Sequence, residues 1–185
     1  EGARARARAM GGDLVTIDNV TENEFVRTQL AQFGGPGHRV WIRVNPGFGH
    51  GHSRKTNTGG ESSKHGLWHQ NLSEALSLIK TSGLKLVGLH MHIGSGADFE
   101  HLKSVCDAMV AQVKALGCDL EAISAGGGLP IPYKVDGSHV DCAEYFRFWD
   151  AARKEIEKVL GHKVGLEIEP GRFLIAESAK LLAEL

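Results

Sequence analysis

The sequence predicts a parallel α/β fold, and two observations predict it. Short apolar runs alternate with segments whose apolar residues recur at spacings of three and four. The polar, glycine-rich loops follow the apolar runs, while the stretches leading into those runs read as plain connectors. Parallel sheets gather their ligands at the carboxyl ends of strands, so the loops that matter should share one end. An open five-stranded sheet and part of an eight-stranded barrel both satisfy the pattern.

The elements follow in order. Residues 2–10 alternate alanine and arginine, both good helix formers, and Gly11-Gly12 stops them. Leu14 to Ile17 reads as a first strand. Thr21 with Glu24 forms a capping box for a helix that carries Phe25, Leu30 and Phe33 inward. Val40 to Val44 is the second strand. A long polar loop runs from Asn45 to about Gln70, and loops of that length in a compact domain are usually functional. Helical spacing returns near 72–80 with Leu72, Ala75, Leu76 and Ile79.

Leu84 to about Met91 is the third strand. Asp98 caps a helix with Phe99, Leu102, Val105, Met109, Val113 and Leu116 on one side, ended by Gly117. Leu120 to Ser124 is the fourth strand. Asp141 and Glu144 open a helix that should bury Tyr145, Phe148, Trp149, Ala152, Ile156 and Val159, closed by Gly161. Val164 to Ile168 is the fifth strand, and a last element starts near Leu174.

At 185 residues the chain can build a sizeable core, and a net charge of −1 gives no electrostatic footprint for nucleic acid or anionic membrane. Cys106, Cys118 and Cys142 lack metal-ligand spacing and read as free thiols of a reducing, cytoplasmic compartment. The chain opens on Glu1 and stops in the apolar run up to Leu185, which reads as a piece of a longer protein.

Several short constellations carry chemistry. Glu167 and Glu169 lie two apart and share a face, as do His90 and His92. Pro170 stops the fifth strand, Gly171 permits close backbone approach, and Arg172 supplies a fork of donors for carboxylate or phosphate. An ordinary strand end with a surface ion pair is the plainer reading of those residues. His90 and His92 could bind metal, or one imidazole could pack on a planar ring. Ser95 between two glycines and the run Gly126-Gly127-Gly128 can both crowd donors round an anion. The latter is neither a Walker loop nor a dinucleotide fingerprint. Arg43, mid-strand, needs a carboxylate if it faces inward, and Glu167 or Glu169 could supply it. His50, His52, His65 and His69 read as solvated loop histidines rather than a metal cluster.

Taken together these motifs resemble a known family. Arg43-Val44-Asn45-Pro46-Gly47, Ser63-Lys64-His65-Gly66, His90 through Gly96, Gly126-Gly127-Gly128 and Glu169-Pro170-Gly171-Arg172 occur in the order and spacing of the fold type III pyridoxal-phosphate decarboxylases. The diaminopimelate decarboxylases are the nearer branch, through Asn45 to Trp68 (NPGFGHGHSRKTNTGGESSKHGLW). The resemblance implies a partial (β/α)8 TIM barrel of about strands four to eight over residues 1–178. Residues 179–185 would begin the connection to a C-terminal β domain.

It further implies pyridoxal 5'-phosphate as cofactor and decarboxylation of meso-2,6-diaminopimelate to L-lysine by the intact protein, expected to be a homodimer. His92 would stack on the pyridine ring, and Glu169 would pair with its nitrogen. Ser95, Gly126, Gly127, Gly128, Pro170, Gly171 and Arg172 would hold the cofactor, Arg172 facing the substrate carboxylate as well, with Arg43 in support. The family's Schiff-base lysine and acid cysteine have no counterpart in this segment, so the segment alone is expected to be inactive. Lys64 does not match that lysine. A related ornithine or arginine-type decarboxylase is the first alternative. A metal-dependent barrel hydrolase using His90, His92, Glu167 and Glu169 is the second.

Overall fold

The computed structural model describes residues 36–49, 58–61, 63–92, 94, 99–133, 137 and 139–178. The expected elements within residues 2–33, the Asp98 cap, Ser95, His50, His52 and residues 179–185 lie outside them.

Five strands form one parallel sheet: β1 (Arg39–Asn45), β2 (Leu67–Trp68), β3 (Lys85–His90), β4 (Ala122–Ser124) and β5 (Gly165–Glu167). Their order is β2-β1-β3-β4-β5. Four of them fall where apolar runs were read: β1 is one residue longer at each end, and β3, β4 and β5 are shorter by one or two residues at an end. β2 is new: Val44 pairs with Leu67 and Asn45 with Trp68, which brings the far end of the long loop back onto β1. Two residues show no alternation, so periodicity could not reveal this strand.

Helix α1 (Leu72–Thr81) follows a short 3₁₀ turn, α2 is Phe99–Leu116 and α3 is Cys142–Leu160. A short α4 (Gly171–Ile175) runs into a 3₁₀ turn at Ala176–Ser178. α3 starts as read: the Asp141 carboxylate accepts from the Glu144 amide at 2.9 Å, and Gly161 closes the helix in the left-handed region. Asp141→Ala should lower stability by about 1 kcal/mol in a denaturant titration, the usual worth of such a cap.

The core lies between the sheet and the helices. Ile42, Leu89 and Ile123 pair across three strands and pack with Leu102, Val105, Met109 and Val113 of α2 and with Trp149, Ala152 and Ile156 of α3. Tyr145 and Phe148 are half-buried, and Val159 is 46% exposed rather than buried as expected. The spacing gives the inward side of α3, but not how far along the helix its cover extends. Cys106, Cys118 and Cys142 are free thiols, and burial pushes the Cys106 thiol up to about 12. No helix among the described residues is long and apolar enough to cross a membrane.

The opposite face of the sheet is layered. Register places Trp41, Gly88, Ala122 and Gly165 in one row and Arg43, His90, Ser124 and Glu167 in the next. The first row is small except for Trp41, whose ring lies over Gly88. A Cβ on Gly88 would stand 2.2 Å from that ring. The second row is polar throughout and leads toward the carboxyl ends of the strands.

Candidate active site

The site forms where the chain leaves β3, β4 and β5. The ladder between the last two runs past the regular strands: the Ala125 amide donates to the Glu167 carbonyl, and the Glu169 amide donates to the Gly126 carbonyl, both at 2.9 Å. This brings the glycine run and Glu169-Pro170-Gly171 side by side. β5 is an edge among the described strands, and both Glu167 at its end and Glu169 beyond it are exposed.

Gly126 has φ +65°, and a Cβ there would stand 2.7 Å from the His92 Cβ and from the Met91 carbonyl oxygen. A Cβ on Gly127 would stand 2.7 Å from the Glu169 carbonyl oxygen and 3.5 Å from His92 Cε1. Only glycines let the β4 loop pass between His92 and Glu169 at this distance. The Gly127 amide donates to His92 Nδ1 at 2.8 Å, so that nitrogen carries a lone pair and a neutral ring carries its proton on Nε2. The Gly126 amide donates to Ser124 Oγ at 3.2 Å.

His90 and His92 do share a face. Their rings are nearly parallel, 9° apart, with centroids separated by 6.5 Å. His90 Nε2 meets the Glu169 carboxylate at 3.3 Å, while its Nδ1 is buried with no hydrogen-bond partner among the described residues. Arg43 does reach this end of the sheet, but its direct partner is not a carboxylate. Its Nη2 donates to the His92 carbonyl at 2.9 Å, and Glu169 acts on it only through its field. Burial lowers the affinity of Arg43 for its proton, and the Glu169 charge opposes that. Arg172 donates to the Tyr133 hydroxyl at 2.7 Å, with its guanidinium 6.0 Å from the Tyr133 ring centre.

Burial also holds the His92 imidazole below its ordinary range. Arg43, His90 and His65 push in the same direction, and Glu169 pulls the other way. Between that depressed value and about 6.5, the unfolded chain takes up a proton that the folded chain refuses. The contribution of His92 to stability is therefore full above that window and is lost as the pH falls through it. Protonation at Nδ1 also breaks the bond from the Gly127 amide. Denaturation midpoints measured across this range should fall on acidification, and His92→Gln should flatten the dependence.

Three residues of the site gave no strong signal in the sequence. Asn45, 4% exposed, accepts from the amides of Gly47 and Gly60 at 3.1 and 2.9 Å and donates to the Gly60 carbonyl at 2.9 Å. An Asn ahead of Pro-Gly is turn chemistry, which was the available hint. Thr58 donates to the His92 carbonyl at 3.0 Å, and Tyr133 braces Arg172. The described part of the long loop is thus tied to the site at several points. His65 and His69 are half-buried rather than solvated, His69 with its ring against Trp68.

Among the described residues no group of three or more His, Cys, Asp or Glu is placed to hold a metal ion. His90, His92, Glu167 and Glu169 therefore do not form the ligand set that a metal-dependent hydrolase would need. A planar anionic cofactor fits better. His92 presents a fixed neutral ring, a carboxylate stands beside His90, and a Cβ on Gly171 would meet nothing within 4 Å, so the backbone there is open to a ligand.

Comparison with known proteins agrees with this geometry. Residues 4–176 match the family described as "Pyridoxal-dependent decarboxylase, pyridoxal binding domain". The chain is 63% identical over 150 residues to a diaminopimelate decarboxylase of Streptomyces coelicolor, covering 81% of this chain and 34% of that protein. It is 55% identical over 180 residues to the Escherichia coli diaminopimelate decarboxylase, covering 94% of this chain and 43% of that protein. A crystal structure of diaminopimelate decarboxylase superposes with a TM-score of 0.76 at 55% identity, over 88% of this chain and 42% of that one. The Helicobacter pylori enzyme complexed with L-lysine superposes with a TM-score of 0.67 at 29% identity, over 86% and 40%. The chain thus spans less than half the length of each of these relatives.

Proposed function

Because the chain belongs to the pyridoxal-dependent decarboxylases, through their pyridoxal-binding domain, we propose that the protein of which it forms this part converts meso-2,6-diaminopimelate to L-lysine and carbon dioxide. The observation that carries the reading is the Gly127 amide on His92 Nδ1, which joins the histidine and the glycine run into one preset surface beside Glu169. The identity of 55–63% to diaminopimelate decarboxylases supports the choice of substrate over ornithine or arginine. Lysine bound to the Helicobacter pylori relative agrees with it.

Pyridoxal 5'-phosphate, when bound, supplies the electron sink for the carbanion left at the α-carbon when carbon dioxide departs. The residues of this chain have separate tasks. His92 would cover one face of the ring. Glu169 keeps a proton on the ring nitrogen, which a carboxylate does and a neutral side chain does not. The amides of Gly126 and Gly127 are taken up within the chain. Those two glycines therefore shape the loop; the Gly171 amide is likewise taken up, by the Glu169 carbonyl at 2.9 Å, so the phosphate would fall to Gly128, Ser95 and Arg172. Arg172, braced by Tyr133, would offer its guanidinium to a substrate carboxylate. Arg43 supports His92 through its main-chain carbonyl. The same reading includes a cytoplasmic homodimer and a barrel part over residues 1–178, with 179–185 leading onward.

The test is direct. The intact protein, stripped of cofactor, is given pyridoxal 5'-phosphate and meso-diaminopimelate, and lysine and carbon dioxide are followed. Equimolar products that depend on the added cofactor are expected. Faster turnover of ornithine or arginine would overturn the substrate assignment.

A further inference from the structure

We infer that Thr58 is a positioning residue for His92: from the long loop, it holds the main chain at His92 so that the imidazole offers one tautomer and one face to a planar cofactor. This rests on the reading of His92 given above.

The strand ladder ends near His92. β3 stops at His90, and the Met91 amide makes the next cross-strand bond, to the Ser124 carbonyl. At His92, between that bond and the bridge at Gly94, the main-chain carbonyl is held by side chains. The His92 carbonyl accepts two bonds, from Arg43 Nη2 at 2.9 Å and from Thr58 Oγ1 at 3.0 Å. The ring is held from the other side by the Gly127 amide. His92 is therefore fixed at both its backbone and its imidazole, by three different segments.

The Thr58 hydroxyl has a firm anchor of its own. Two residues further on, Gly60 exchanges two hydrogen bonds with the buried side chain of Asn45, the last residue of β1. The loop is thus pinned to the sheet immediately beside the threonine. Arg43 and Thr58 share the task but differ in character. Arg43 carries a charge that itself acts on His92, whereas Thr58 is neutral. Among the described residues, the charged or titratable groups acting on His92 are Arg43 from β1, His90 from β3, His65 from the long loop and Glu169 from the turn after β5. Removing the Thr58 hydroxyl alters none of them, so any change in the titration of His92 reports its position.

The experiment uses the intact protein as wild type, Thr58→Val, Thr58→Ala and Thr58→Ser. In cofactor-free protein, ¹⁵N-histidine NMR follows the titration and tautomer of His92. In parallel, the affinity for pyridoxal 5'-phosphate is measured by fluorescence quenching. Valine and alanine should raise the His92 midpoint toward the ordinary imidazole value, mix its tautomers, and weaken cofactor binding three- to tenfold. Serine should stay within twofold of wild type. Arg43 still serves the carbonyl in every variant, so folding should survive, and alanine serves if valine does not fit. An unchanged His92 spectrum in both hydroxyl-free variants would overturn the inference. Failure of the wild type to bind the cofactor would instead remove the functional reading, and the NMR measurement would still decide the role of Thr58.

Discussion

Gly126→Ala should leave the intact protein unable to retain pyridoxal 5'-phosphate, and should destabilise it well beyond an ordinary glycine replacement. The added methyl would stand 2.7 Å from both the His92 Cβ and the Met91 carbonyl, and neither is the free end of a flexible side chain. Overpacking of this kind costs about 1–3 kcal/mol. An alanine held at φ +65° adds ~1 kcal/mol or more. The only relief is to push the β4 loop away from β3, which stretches the bond between the Gly127 amide and His92 Nδ1. Gly161→Ala separates the two costs. Gly161 has φ +79° but open space around a Cβ, so it should show the backbone cost of ~1 kcal/mol and full cofactor retention. Equal losses in the two variants would show that the contact with His92 is unimportant.

Glu169→Gln is the second large effect. The substitution keeps size and shape and removes the charge. If the carboxylate holds a proton on the cofactor nitrogen, the rate of decarboxylation should fall on the order of 10²–10³-fold, the scale typical for deleting one preorganised electrostatic contact. Cofactor affinity should change far less. An independent sign accompanies the loss. The Glu169 charge raises the proton affinity of His92, so the glutamine variant should titrate His92 at still lower pH. A glutamine variant with a near-normal rate would reassign the partner of the ring nitrogen, and His90, which meets the same carboxylate, would be the next residue to test.

Much of the fold could be read from the sequence because its signals are local. The apolar stripes of α2 and α3, the Asp141 cap and the Gly161 stop each depend on residues within a few positions of one another. The runs around Ile42, Leu89 and Ile123 are apolar enough to declare themselves as buried strands. What stayed hidden is non-local. The pairing of Leu67 with Val44, the bond of Thr58 to His92 across 34 positions, and the bond of Arg172 to Tyr133 across 39 leave no periodic trace. Arg43, if it faced inward, was expected to need a carboxylate because charge was the visible property. The structure gives it a backbone carbonyl because a strand end has unsatisfied acceptors that only the fold brings near. The residues with chemistry were thus legible as types in a pattern, and their partners were not.

The tryptophan that fills the first row of the open sheet face has a bearing on how this chain can change over generations. Trp41 occupies the space that a side chain at position 88 would otherwise fill, its ring standing 2.2 Å from where a Cβ on Gly88 would be. A substitution that enlarges position 88 first collides with the ring, whereas shrinking Trp41 first leaves a hollow that a larger residue at 88 can later occupy. The two orders are not equivalent. Descendants should therefore reach the exchanged pair through a cavity rather than through a clash, and reconstructed intermediates that carry the small residue at position 41 should be the ones that fold.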